Sequence, residues 1–295
     1  KIDMAFEREE LNFPNNQPVE LYRGQLKLVS GDITISIENS LLSLEWLYHP
    51  RLIFTGTLGN DKQFPLINGV DSWEVYCEDN LIGNGQILSQ TISQTYSIKG
   101  ELAQNLDLLN RDNFDEVHFS VVNLPARLGD VVISKENGFY RGRMEVKIDQ
   151  ATLIIDAVSD IENRLKTLTS DGGFNITHHC ILKFRQSLSG AKLKEYLEAI
   201  RLSLRILVGQ DLGFVMLKFF QNNTPLAVFY IYGKPHQILN CHRLLNRHSH
   251  LSHSEFFENI YRGCINAKKD KPMTDLVHWY NMSNSNHGYV EGSLL

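Results

Sequence analysis

From about residue 19 to residue 186 the chain runs in short stretches separated by Gly, Asn, Asp or Pro: LYRGQLKLV, DITISIE, RLIFTGTL, SWEVYCE and DEVHFSVVNLP. Stretches rich in β-branched and aromatic residues and bounded by turn formers predict strands. Between Arg141 and Ile148 the residues alternate, with Met144, Val146 and Ile148 set against Arg143, Glu145 and Lys147. One face of that strand is therefore buried and the other wet. FNITHHCILKF likewise puts Phe174, Ile176, His178, Cys180, Leu182 and Phe184 on one side. Turns recur too often to leave room for the long crossovers that parallel strands need, so the pairing is expected to be antiparallel.

The period changes after Ser187. Leu193, Tyr196, Leu197, Ile200, Leu204 and Leu207 recur at helical spacing, with Ser189 available as N-cap and Gly209 as terminator. GFVMLKFFQ and PLAVFYIYG follow, joined by NNT, and read as an apolar hairpin packed under that helix. Helices are expected around Ser254 to Ala267 and around Met273 to Met282. The fold class is mainly β with an α/β C-terminal part: an antiparallel sandwich or barrel, then a helix, a β-hairpin and terminal helices. Pro, Gly and polar residues in LPARLGDVVISKENG divide the chain into an N-terminal β-rich subdomain, 1–135, and a second β-rich subdomain with C-terminal helices, 136–295, leading to a further domain.

Composition narrows the function classes. The chain has 295 residues, 42% hydrophobic and 21% charged, a globular balance far from that of disorder. A formal charge of −5 supplies no global positive field for nucleic acid or anionic lipid. No apolar run approaches a membrane span, and KIDMAFEREELNF lacks the order of a signal peptide. Cys77, Cys180, Cys241 and Cys264 are scattered without a C-x-x-C pair, which suits free thiols in a reducing cytoplasm. A start at Lys1 and an end at EGSLL suggest a fragment of a longer protein.

Seven of the eleven histidines lie between His236 and His287. In CHRLLNRHSHLSH, His248, His250 and His253 could supply two or three ligands of a zinc site, against the plainer reading of a solvated loop. Arg243 to His248 and Arg247 to His253 have the R-x4-H and R-x5-H spacings of HEPN ribonucleases, an accident of a segment rich in both residues. Neither G-x-S-x-G nor a phosphate-binding glycine motif occurs. Asp156, Asp160 and Glu162 lack calcium-loop spacing and are expected to face water. Trp46, Tyr48, Trp73 and Tyr76 could stack sugars or bases, although alternation equally suits a core. No catalytic residue and no cofactor is assigned.

The last third, with LKEYLEAIRLSLRILVG, FVMLKFF, LAVFYIY and then LVHWYN running into GYVEGSLL, resembles the region preceding the HEPN domain in ApeA-like bacterial abortive-infection proteins. The resemblance covers about residues 100 to 295, rests on apolar patterning around Trp279 and Tyr280, and includes no catalytic motif. It implies a cytoplasmic sensor or regulatory region that recognises a phage or host protein and controls a downstream helical ribonuclease, with homo-oligomerisation open. Leu276, His278, Trp279 and Tyr280 would couple sensing to the effector, although a packed terminal helix accounts for them equally well. The competing readings are a stand-alone carbohydrate- or nucleic-acid-binding module, which needs an exposed aromatic strip, and a metal-dependent enzyme using the His-rich segment.

Overall fold

The structure, a computed structural model, describes residues 4–6, 8, 16–46, 49–58, 71–92, 95–103, 113–124, 130–134, 138–233, 235, 253–267 and 275–277. It is mainly β and antiparallel, as the turn spacing predicts. Strands β1 (Val19–Ser30), β2 (Ile33–Glu45), β3 (Arg51–Leu58), β4 (Trp73–Cys77), β5 (Asn80–Ile92) and β6 (Tyr96–Leu102) close into a barrel in the order β1-β2-β3-β6-β5-β4. Closure removes every sheet edge. Strands β7 (Phe114–Val122), β8 (Asp130–Ser134), β9 (Gly138–Ile148), β10 (Ala151–Ala157), β11 (Ile176–Leu188), β12 (Phe214–Gln221) and β13 (Thr224–Tyr232) form a second sheet in the order β13-β12-β7-β11-β10-β9-β8.

Local chemistry sets the hairpins. Glu78 and Asp79 between β4 and β5 have φ of 48° and 63°, and Asn222 and Asn223 between β12 and β13 have 49° and 62°. Two consecutive left-handed residues make the turn whose twist matches paired strands, and Asn and Asp tolerate that conformation best among side-chain-bearing residues. NNT therefore joins two strands in register, with Gln221 opposite Thr224. Inside the barrel the fully buried Phe54 ring lies against Gly100 on the neighbouring β6 and Gly85 on β5, one strand further. A Cβ at Gly100 would come within 2.1 Å of the ring, so glycine there makes room for it.

Helix α2 (Gly190–Val208) begins at Ser189, whose hydroxyl accepts from the Lys192 N–H, and ends at Gly209 with φ 70°. It buries Leu193, Tyr196, Leu197, Ile200, Leu204 and Leu207, the stripe read from the sequence. With α3 (His253–Ala267) it covers one face of the sheet over Val117, Phe119, Met144, Val146, Leu153, Cys180, Leu182, Phe214 and Phe219. At one end of the sheet Val122, Ala157, Ile176, Val215, Met216 and Ile231 share a core with the barrel interior.

Two details depart from the sequence reading. The strand-rich stretch contains a helix, α1 (Ile161–Asp171), whose inward residues Ile161, Leu165 and Leu168 stand at helical spacing over too few turns to outweigh the surrounding strand rhythm. In β11 burial does not alternate: Ile176 to Cys180 are all buried, because barrel, α1 and an N-terminal strip cover the face opposite the helices.

Candidate functional site

Of the residues proposed from the sequence to couple sensing to an effector, Leu276 lies in a helical turn and is 62% exposed. Its neighbour Val277 is buried against Leu202 and Cys264. His278, Trp279 and Tyr280 lie outside the described residues, as do His248 and His250, while His253 is the first residue of α3. Among the described residues no three His, Cys, Asp or Glu side chains gather as a metal site. Trp46 and Trp73 are barrel core, 1% and 0% exposed, and so do not belong to an exposed aromatic strip. Cys180 is a free thiol, and burial pushes its pKa well up, which makes it unreactive.

The polar chemistry instead converges on the sheet face opposite α2 and α3. Successive residues of a strand point to opposite faces, and the register decides which meet across strands. Arg143 on β9 pairs with Asp156 on β10, Asp156 with His179 on β11, and His179 with Ser120 on β7. Asp156, expected in water, is fully buried. The reason is its partners: Arg143 Nε donates to its Oδ1 at 2.8 Å and Arg143 Nη2 to its Oδ2 at 2.6 Å. A bidentate guanidinium supplies the counter-charge and the hydrogen bonds that a carboxylate in a core needs. Ser120 Oγ and His179 Nδ1 stand 2.9 Å apart, with Ser120 fully buried and His179 5% exposed. Burial, then the Arg8, Arg164 and His178 charges, push the His179 pKa down to about 3, so the imidazole is neutral.

A strip of the N-terminal chain crosses this row. Met4 forms a parallel bridge with Ile133, the Ala5 N–H donates to the Ile133 carbonyl at 2.9 Å, and Arg143 Nη2 donates to the Met4 carbonyl at 2.8 Å. The Phe6 N–H donates to Asp156 Oδ2 at 2.7 Å. The Phe6 ring meets His118 edge-on at 4.9 Å between centroids and His179 at 6.3 Å. Arg8 Nη1 donates to the Met216 carbonyl at 2.9 Å and reaches Ser120 Oγ at 3.5 Å. The register of β12 against β7 slips between Val215 and Lys218, and Met216 within the slip has φ 55°. Such a bulge re-aims the backbone, and here its carbonyl meets Arg8. Beyond the strip, His118 lies 4.5 Å from the Phe220 ring and bonds Glu116, which also pairs with Lys183 at 3.1 Å.

Ser, His and Asp thus stand in one line, yet their hydrogen bonds run inward. Asp156 takes Arg143 and a backbone N–H, and the buried Ser120 hydroxyl offers a substrate no approach in this arrangement. What this face does chemically is hold a segment of chain, by the Asp156 carboxylate, the Arg143 guanidinium, the Ile133 and Met216 carbonyls, the Ser120 hydroxyl and a pair of imidazoles. Sequence reading missed Ser120, Arg143, Asp156, His179, Phe6 and Arg8 as a group. Two signals were present: HH within a strand must send one imidazole to each face, and Asp156 follows the apolar run LII.

The fold and this row define a mainly β protein in which a closed barrel abuts an antiparallel sheet, backed by helices on one face and crossed by an N-terminal strip on the other. A family model described as YopA central domain matches residues 110–238. That span takes in all seven strands of the sheet with α1 and α2, and leaves out the barrel and α3. No curated protein and no solved structure matches the chain.

Proposed function

We propose that this chain is the recognition and regulatory region of a cytoplasmic bacterial anti-phage protein. In this reading it recognises a phage or host protein and controls a downstream helical HEPN-type ribonuclease. The observation that carries the reading is the strip over the polar row: the most chemically endowed side chains of the sheet hold a segment of the chain itself, in contacts that a partner can exchange. The match to a model described as a central domain fits a module with chain on both sides.

Regulation requires a partner to prefer one of two arrangements, and a shift from 1:99 to 99:1 takes roughly 5.5 kcal/mol of differential binding. Three bonds of the strip involve an ionised group: Phe6 N–H to Asp156, Arg143 to Met4 and Arg8 to Met216. At about 1.5 kcal/mol each, the low end for hydrogen bonds to charged groups, they contribute a few kcal/mol. Gain or loss of the strip is therefore of the right order to switch such an equilibrium. Among the described residues no helix is long and apolar enough to cross a membrane, which is compatible with a cytoplasmic encounter.

The test is RNA cleavage by the intact protein, with and without Arg-to-Ala and His-to-Ala changes in any downstream R-x4-6-H helix. Cleavage abolished by those changes is expected. An intact protein that leaves RNA untouched in infected-cell extract removes the ribonuclease from the proposal.

A further inference from the structure

We propose that the polar face of the sheet is a docking cleft for an extended segment of a partner protein that carries an aromatic residue and, two positions later, an arginine. In this structure the chain's own Phe6 and Arg8 fill it. The inference rests on the recognition half of the proposed function and is independent of the ribonuclease half.

Each requirement follows from a contact. The first position needs a ring because it fits beside two imidazoles, with Phe6 edge-on to His118 at 4.9 Å and to His179 at 6.3 Å. The same residue cannot be proline, since its N–H donates to Asp156 Oδ2 at 2.7 Å. Arg8, two residues on from Phe6, also reaches the sheet. There Arg8 Nη1 meets the Met216 carbonyl at 2.9 Å and Ser120 Oγ at 3.5 Å. Both acceptors face the one terminal nitrogen, Nη1, and a guanidinium brings it there on a planar, permanently charged head that is more weakly hydrated than an ammonium. The edge strand β8 adds main-chain recognition: the Ile133 carbonyl accepts the Ala5 N–H at 2.9 Å, as an added strand does in β-augmentation.

The receptor side is built in advance. Arg143 holds the Asp156 carboxylate through two bonds within the sheet, and His179 and Ser120 stand within hydrogen-bond distance of one another, so little ordering is needed when a segment docks. A second observation comes from the bulge. Met216 adopts φ 55°, a left-handed backbone that costs a side-chain-bearing residue energy, and its carbonyl is the acceptor for the arginine.

The probe is a fluorescein-labelled peptide of residues 1–10, KIDMAFEREE, titrated by anisotropy against the whole chain. The resident strip blocks the cleft, so apparent affinity scales with the fraction of molecules whose cleft is empty. The Phe6→Ala, Arg8→Ala double variant, with its own strip loosened, is expected to bind the peptide at least about tenfold more tightly than the unaltered chain. A peptide carrying the same two changes is expected not to bind, and one with Arg8→Lys to bind several-fold more weakly. If the folded double variant binds no better than the unaltered chain, the proposal is overturned. A second measurement needs no variant: saturating peptide should raise amide hydrogen exchange across Met4 to Arg8 of the unaltered chain several-fold, and unchanged exchange also overturns it. Concentration-dependent dimers of the unaltered chain that vanish in the double variant would replace the partner with a second copy of this chain, and so overturn it as well.

Discussion

Replacing His179 with Asn changes how the stability of this protein depends on pH. His179 is 5% exposed, and its imidazole is surrounded by Arg8, Arg164 and His178 as well as the Arg143–Asp156 pair. Its pKa falls from an ordinary 6.5 to about 3, burial being the largest cause and the arginines next. Above pH 6.5 neither the folded nor the unfolded imidazole carries a proton, so the residue contributes no pH dependence. Below it the unfolded chain takes up a proton that the folded chain refuses, and stability falls with falling pH. The slope is about 1.4 kcal/mol per pH unit, giving a loss of roughly 2 kcal/mol by pH 5 and a ceiling near 5 kcal/mol at the folded pKa. Carboxylates also titrate at the acid end, so the quantity to measure is a difference. Urea unfolding of the unaltered chain and of His179→Asn, whose amide can still meet Ser120, gives two stability curves between pH 7.5 and 5. The gap between them should close or reverse by about 2 kcal/mol over that range. Parallel curves would mean that His179 protonates as readily folded as unfolded, the opposite of what its burial implies.

Three further outcomes follow from packing and pairing. Asp156→Ala leaves Arg143 without its buried counter-charge and is expected to cost about 3–5 kcal/mol, and the Arg143→Ala, Asp156→Ala double variant to recover much of that in a double-mutant cycle; additive losses would contradict a coupled pair. Gly100→Ala puts a methyl into the Phe54 ring and is expected to cost about 1–3 kcal/mol, partly restored by Phe54→Leu; unchanged thermal unfolding would contradict the account of the barrel core. The Tyr261 hydroxyl is buried without a hydrogen-bond partner among the described residues. Tyr261→Phe is therefore expected to leave stability within about 0.5 kcal/mol or raise it, which denaturant midpoints would decide.

The fold was legible where one physical signal dominated. Ser189, the 3.6-residue stripe and Gly209 delimit α2 in the sequence as they do in the structure. Asn222 and Asn223 announce the hairpin because few side-chain-bearing residues tolerate their backbone conformation. Met144, Val146 and Ile148 mark the core face of β9 because the residues between them are charged or polar. The polar row was illegible for a related reason. A buried Asp looks like a surface Asp until its arginine is known, and Arg143 reads as the wet side of an alternating strand. Only the register of five strands brings Arg143, Asp156, His179, Ser120 and Met216 under one strip. The strip itself, with Phe6 and Arg8 far from those partners along the chain, carries no periodicity to announce it.

In the function proposed above, strip and sheet form the switch through which this region governs an effector. It is tested most directly by RNA cleavage with the intact protein, comparing the unaltered chain with Phe6→Ala, Arg8→Ala under identical conditions. Loosening the strip is expected to change the cleavage rate several-fold while thermal unfolding of the barrel and sheet is retained. Equal cleavage by both proteins, or cleavage by neither, would contradict it.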